Sequence, residues 1–359
     1  MNRIRIEWSM IWNVLGEHFN LAGCSSNGNI SHFALEALRQ LSMKFLEKGE
    51  LPNFRFQKEF LHPFEVIMDR NRSLACREMI VTCVTHMVHS HADKIRSGWR
   101  NIFSLFSMAA TEKDERIVEQ AFTTTAEIIG DVFPKHFAEL SPDSFHDAIK
   151  CLSGFACNPA FPDTSMESIR LIRLAAALVD KHSDLINANW EAIVEGLNLL
   201  KICLVLGHPI WIKGWLPIIF ELSCIVNRCK LDVRTRSLTV LFELVKSYGA
   251  KFGDDAWTDF FKIIFRIFDF GKIDELGNEK NEWMITTCNH ALYAIVDVFS
   301  EYYISLGPLL LPEIYKQLYW CVEQGNELLA RSAINCLENL VVSNGNKFNK
   351  QMWIKQLNN

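Results

Sequence analysis

Four basic residues crowd one short stretch of the chain: Arg228, Lys230, Arg234 and Arg236. Set at the turn between two helical segments, such a cluster can meet acidic protein surface or anionic lipid. An arginine early in the second segment can also tie adjacent turns together, through carbonyls or Asp232, and both readings stand. A second basic set, Lys94, Arg96 and Arg100 beside Trp99, carries the same two readings. Other groups invite chemistry and do not complete it. His86, His89 and His91 fall at i, i+3 and i+5, which do not share one helix face, and no cysteine or carboxylate completes a metal set, so a solvated helix end is expected. Cys288 with His290, and Cys83 with His86, could be thiol–imidazole pairs. Adjacent residues on a helix point different ways, and Asn289-His290 inside a helix is commonly a packing choice, so packing is the expected role. Gly23 and Gly28 have the spacing of a phosphate loop without the lysine that should follow. Asp254-Asp255 and Asp274-Glu275 read as solvated turns. No catalytic residue, cofactor site or metal site is expected.

The elements that would position the basic clusters are helices. A small polar residue followed by a helix with one apolar stripe returns roughly every 40–50 residues. The openings are Ser31, Ser73, Asp114, Ser165, Asp232, Asn281 and Asn326. The plainest copy runs from Asp232 through Val233, Arg234, Leu238, Leu241, Leu244 and Val245. Helical patterns cover Ser31–Leu46, Phe60–Met68, Ser73–Val88, Ile95–Ala110 and Asp114–Val132, the last closed by Pro134. Ser141-Pro142-Asp143 is a cap, a first-turn proline and an acid for the dipole, and Thr164 with Glu167 reads as a capping box. Further patterns follow at Trp215–Asn227, Asp232–Tyr248, Trp257–Phe268, Asn281–Tyr303, Leu310–Glu323 and Asn326–Val342. Alternation with the period of two that strands require is scarce. The expected fold is all-α, an armadillo/HEAT-like solenoid of about six or seven antiparallel helix pairs, in which each pair is stabilised by its neighbours. It divides into 1–181, an irregular segment 182–213 interrupted by Gly196, Gly207 and Pro209, and 214–359. Trp8, Trp12 and Trp353 near the two ends are expected either to pack on their flanking pair or to await neighbouring repeats.

Composition narrows the function class. In 359 residues, 49% are hydrophobic and the formal net charge is -5, which suits a large core and gives no electrostatic footprint for nucleic acid. The 11 cysteines lack paired spacing, as expected of free thiols in a reducing compartment. No signal-peptide pattern follows Met1. The longest apolar stretch, Leu197 to Trp215, holds Lys201, His208, Pro209 and Lys213, which argues against a membrane span.

Several long phrases are distinctive. They are Leu38 to Leu51 continuing into Asn53-Phe-Arg-Phe-Gln-Lys58, Ile95-Arg-Ser-Gly-Trp-Arg-Asn-Ile-Phe103, Cys157-Asn-Pro-Ala-Phe-Pro-Asp-Thr-Ser-Met166 and Phe220 to Arg236. Trp283 to Ile295 and Gln317-Leu-Tyr-Trp-Cys-Val322 complete them. These resemble the region downstream of the catalytic domain in the large, brefeldin-A-inhibited Arf guanine nucleotide exchange factors. The resemblance covers nearly the whole chain outside 182–210, where Trp190 to Ile210 is more apolar than the family's loop. No part matches the exchange domain with its nucleotide-displacing glutamate, so the chain is expected to be a fragment lacking that domain and to have no exchange activity. The resemblance implies a regulatory helical-repeat region acting in Arf signalling and vesicle traffic. Its implied partners are an Arf-family small GTPase, the factor's other domains or a second copy, and the trans-Golgi or endosomal membrane, to which a cytoplasmic protein would bind peripherally. Two other classes remain open on the residues: a generic helical-repeat adaptor unrelated to Arf, and an enzyme with a site between helices. Arg228, Lys230, Arg234 and Arg236 are the expected partner-contact residues.

Overall fold

Short polar side chains start many of the helices in the computed structural model, which describes residues 2–50, 55–184, 186, 209–269 and 277–348. The Asp114 carboxylate accepts from the amides of Arg116 and Ile117, the Ser141 hydroxyl from that of Ser144, and the Asn326 side chain from that of Leu329. Each bond satisfies an amide that has no partner inside its own helix. The described residues contain helices and no strand.

The chain divides into two compact units, Met1–Trp190 with Lys213–Ile218 and Glu191–Ile212 with Ile219–Asn359. The first unit stacks helix pairs: α1 (Asn2–Gly23) with α2 (Gly28–Leu46), α3 (Gln57–Arg70) with α4 (Leu74–His91), α5 (Trp99–Ala109) with α6 (Glu115–Glu127), and α8 (Pro142–Ala156) with α9 (Pro162–Lys181). Short α7 (Phe133–His136) lies in the connection before α8. Each helix packs on its pair-mate and on the like helix of the next pair, α1 on α3, α3 on α5 and α5 on α8, with α2 on α4 and α4 on α6 behind them. That is the nearest-neighbour packing of a helical repeat. The second unit repeats it with α10 (Leu216–Arg228), whose first residues group with the first unit, α11 (Leu231–Tyr248), α12 (Asp254–Phe265), α13 (Gly277–Trp283), α14 (Asn289–Glu301), α15 (Tyr303–Val322) and α16 (Glu327–Asn344). There α11 packs on α14 and α14 on α16, while α12 packs on α15. The all-α helical-repeat expectation holds.

Several local expectations do not. Pro134 does not end its helix: a wide π-helical turn, Ile128–Val132, carries the chain on into Phe133–His136. The widened turn relieves the clash between a proline ring and the carbonyl one turn back. A second π-turn, Met284–Cys288, joins α13 to α14. Thr164 and Glu167 form no capping box. The helix opens two residues earlier on Pro162, whose fixed φ suits a first turn, and Glu167 forks instead onto Arg170 at 2.6–2.8 Å. The α15 helix begins at Tyr303, well before Leu310, and accommodates Pro308 and Pro312 because Tyr303, Leu306, Leu310 and Leu311 are buried along it. Ser31 and Ser165 lie inside their helices. Most of the irregular segment 182–213 falls outside the described residues, as does Trp353, while Trp211–Trp215 is a π-helical turn. No described helix is long and apolar enough to cross a membrane.

Candidate interaction surface

Between α10 and α11 the turn is only Cys229 and Lys230, with Lys230 in an extended conformation before the first residue of α11. Arg228, in the last turn of α10, complements the negative end of that helix. Arg228 and Lys230 are exposed, and so is Arg236. Arg234 is buried. The split follows from helix geometry. Residues two apart are about 200° apart around the axis, so Arg234 shares the inward stripe of Val233, Ser237, Leu238 and Leu241 while Arg236 faces away. The Arg234 guanidinium lies 4.5 Å over the ring of Trp283 and 3.3 Å from the Glu282 carboxylate. Burial lowers its pKa from the usual arginine range, against the raising pull of Glu282. Trp283 is held in turn, its indole N–H donating to the Ile267 carbonyl at 2.9 Å. The structure therefore brings Arg228, Lys230 and Arg236 to the surface, with Asp232 and half-exposed Leu231 among them, and places Arg234 beneath as a tie to the next repeat.

The second basic set is mostly a joint. Trp99 is buried, stacked on Phe103 and perpendicular to the Phe133 ring. Arg96 turns back to the Asp93 and Ile95 carbonyls, and Arg100 is exposed. Around them is a clasp that no sequence motif had singled out. Gln57 is fully buried, its side-chain oxygen accepting from the amides of Arg96 (2.7 Å) and Gly98 (3.3 Å) and its nitrogen donating to the Lys94 carbonyl (2.9 Å). The Glu50 carboxylate accepts from the amides of Gln57 and Ser97 and from the Ser97 hydroxyl. Two consecutive connections between pairs are thereby stitched to each other.

Connections within pairs carry a second stitch. Asn71 donates to the Gly23 carbonyl and Asn158 to the Ala110 carbonyl, at 2.9 and 2.8 Å, each across 48 residues. Each asparagine also accepts from an amide two residues ahead, of Ser73 or Ala160. Arg77 supplies the tie between these points. It donates to the Met68 and Asn71 carbonyls and pairs with Glu112. The groove it spans is lined by both signs of charge, with Arg72 and Lys113 beside Asp69 and Asp114. A motif scan passes over both asparagines, although their spacing from the preceding turn repeats the period of the chain.

The groups weighed for chemistry have other employment. His89 bonds Glu127 at 2.7 Å between α4 and α6, and His86 is exposed. Burial pushes the thiols of Cys83 and Cys151 up to about 12, and that of Cys288 up as well, while burial lowers His290. Protonated thiols of this kind are poor nucleophiles. Among the described residues, no group of three or more His, Cys, Asp or Glu has the arrangement of a metal site.

Known proteins match the chain end to end. Residues 44–127 match the family model described as Mon2/Sec7/BIG1-like, HDS. Brefeldin A-inhibited guanine nucleotide-exchange protein 1 of Homo sapiens is 58% identical over 358 residues, covering 100% of this chain and 19% of the relative. Brefeldin A-inhibited guanine nucleotide-exchange protein 3 of Arabidopsis thaliana is 32% identical over 374 residues, covering 99% and 21%. The ADP-ribosylation factor guanine nucleotide-exchange factor SEC7 of Saccharomyces cerevisiae is 30% identical over 367 residues, covering 98% and 18%. The chain thus spans about one-fifth of the length of the curated relatives it matches.

Proposed function

We propose that this chain, homologous throughout to one stretch of the brefeldin-A-inhibited Arf guanine nucleotide exchange factors, is a non-catalytic regulatory region of such a factor, from the part that follows the exchange domain. The observation that carries the reading is the 58% identity across the whole chain. It extends over the segments that hold the Gln57 clasp, the Asn158 stitch and the Arg234 tie. The region acts in Arf signalling and vesicle traffic at Golgi and endosomal membranes. Its partners are an Arf-family GTPase and the membrane that carries it. Arg228, Lys230 and Arg236 form a contact face for acidic partner surface, and Arg234 holds the helix that presents them. Charged residues at the rim of such a face mainly set association rate and specificity.

Two measurements test the proposal together. In a nucleotide-release assay the chain should leave the rate of an Arf GTPase unchanged. In pull-downs it should prefer the GTP-loaded form. Reversing Arg228, Lys230 and Arg236 to glutamate should weaken that binding by tenfold or so without moving the melting temperature. Acceleration of release would overturn the non-catalytic reading, and equal capture of GDP- and GTP-loaded forms would overturn the GTPase partner.

A further inference from the structure

An arginine stands three positions before a side-chain hydroxyl at four places in the chain: Arg39 before Ser42, Arg70 before Ser73, Arg234 before Ser237 and Arg236 before Thr239. Kinases with an acidic cleft read such arginines by charge, and the fold decides which hydroxyls they reach. Ser42 and Ser237 are fully buried, and Ser237 donates to the Leu222 carbonyl at 2.9 Å. Thr239 lies inside α11 and donates to the Thr235 carbonyl at 2.9 Å. Ser73 differs on each count. It is exposed, between exposed Arg72 and Leu74, itself 43% exposed. Asn71, Arg72 and Ser73 lie outside the helices. The backbone is extended at Asn71 (φ -82°, ψ 118°) and at Ser73 (φ -66°, ψ 122°). Extended backbone is the form in which a peptide's side chains can enter separate pockets. Ser73 immediately precedes α4, yet its hydroxyl bonds no amide of that helix, whereas Asp114, Ser141 and Asn326 each cap theirs.

We propose that Ser73 is a phosphorylation site for an arginine-directed serine kinase using MgATP, and that the phosphoserine caps α4. The Ser73 Oγ attacks the γ-phosphorus of ATP. An Oγ–P bond forms as the bond from that phosphorus to the β,γ-bridging oxygen breaks. ADP leaves with the electron pair, and the hydroxyl proton passes to a base of the kinase. Arg70 and Arg72, both exposed, supply the charge that the kinase reads, and Leu74 offers an apolar side chain on the other side of the hydroxyl. The product, an anion of about -2 at neutral pH, stands at the positive end of an 18-residue helix. The amides of Ala75 and Cys76 are the ones an oxygen at that position reaches. Arg72 and Leu74 line a groove in which Arg72, Arg77 and Lys113 balance Asp69, Glu112 and Asp114, so the modification turns the neighbourhood of that groove negative. The inference rests on the arginines and on exposure, not on the GTPase reading, and would survive failure of the latter.

The test incubates the whole 359-residue chain with MgATP and the catalytic domain of an arginine-directed serine kinase, and maps phosphate by mass spectrometry. Ser73 should be labelled at least about tenfold faster than Ser42 or Ser237. In three synthetic peptides centred on these serines, where no fold hides them, that preference should vanish. The Arg70→Gln, Arg72→Gln double variant should slow labelling of Ser73 by about tenfold while keeping its melting temperature, because both side chains are exposed. In the phosphorylated chain, hydrogen exchange should slow at the Ala75 and Cys76 amides. The site is refuted if Ser73 stays unlabelled in the folded chain, or if the double variant is labelled as fast as the natural one. Equal labelling of the three serines in the folded chain, or the same preference in the peptides, would refute selection by the fold. Unchanged exchange at Ala75 and Cys76 would refute the cap.

Discussion

Arg234 reaches across 48 residues to sit between the Trp283 ring and the Glu282 carboxylate. Two repeats of the second unit are joined at that point by a cation held against an aromatic face. The ion pair itself is worth little, since Glu282 is more than half exposed and water screens it. Most of the value is in the guanidinium's packing and cation–π contact, which is worth about 1–2 kcal/mol when desolvated. Arg234→Ala should therefore lower the unfolding free energy by about that amount, read from the shift of the urea midpoint, and Arg234→Lys should recover only part, because a lysine lacks the flat stacking surface. Arg236→Ala, on the outward side of the same helix, should leave the midpoint within experimental error. Equal effects of the two alanine variants would refute the division between tie and surface.

Gln57 presents a sharper case, because all three of its partners are backbone groups inside the first unit. Replacement by leucine keeps most of the volume and leaves two amides and a carbonyl without that partner. Each unmet buried group carries a penalty of about 1–3 kcal/mol, partly relieved by water or rearrangement. Gln57→Leu should cost about 2–4 kcal/mol and speed hydrogen exchange at the Arg96 and Gly98 amides specifically. Exchange that rises evenly along the unit would point to general loosening in place of a local clasp.

The asparagine stitches allow an isosteric test. Asn158 donates from its amide nitrogen to the Ala110 and Glu112 carbonyls and accepts from Ala160. Asn158→Asp preserves shape but turns an acceptor toward two acceptors. It should destabilise more than Asn158→Ala, by about 1 kcal/mol or more at pH 7, with the excess shrinking as the carboxyl is protonated in acid. Identical stability curves for the two variants between pH 7 and pH 4 would show that the donor is not what matters.

How far the sequence foretold this can be judged at the same residues. Helix positions followed from apolar spacing, and Asp114, Ser141 and Asn326 are caps as their types suggested. Those signals are local, and local physics decides them. Pro134 misled because the π-turn that accommodates it leaves no mark in residue types. Among the candidate contact residues, the outward placement of Arg236 was available from helical angle once Val233 and Leu238 were taken as core. The inward side of Arg234 followed from the same angle, but its partner did not, because Trp283 arrives from the next repeat. Gln57 and Asn71 look like ordinary polar residues near helix ends, and their roles exist only through partners about 40–48 positions away.

The buried thiols should make stability fall at alkaline pH. Cys83 has an ordinary value of 9.0, pushed up to about 12 in the folded chain, chiefly by burial. Below pH 9 the thiol is neutral in both states and the shift contributes fully. As pH rises past 9 the unfolded thiol ionises and the folded one does not, so unfolding is favoured by about 1.4 kcal/mol per pH unit per thiol. Stability should fall from pH 8.5 to 10.5 more steeply in the natural chain than in Cys83→Ala, even though the variant starts lower because of the space it leaves. The comparison isolates this thiol from the lysines and tyrosines that titrate in both proteins. Parallel curves would mean that Cys83 ionises alike in both states, and an alkylating reagent would then label it in the folded chain at pH 9.5. The expected outcome is that labelling of Cys83 at that pH waits for unfolding.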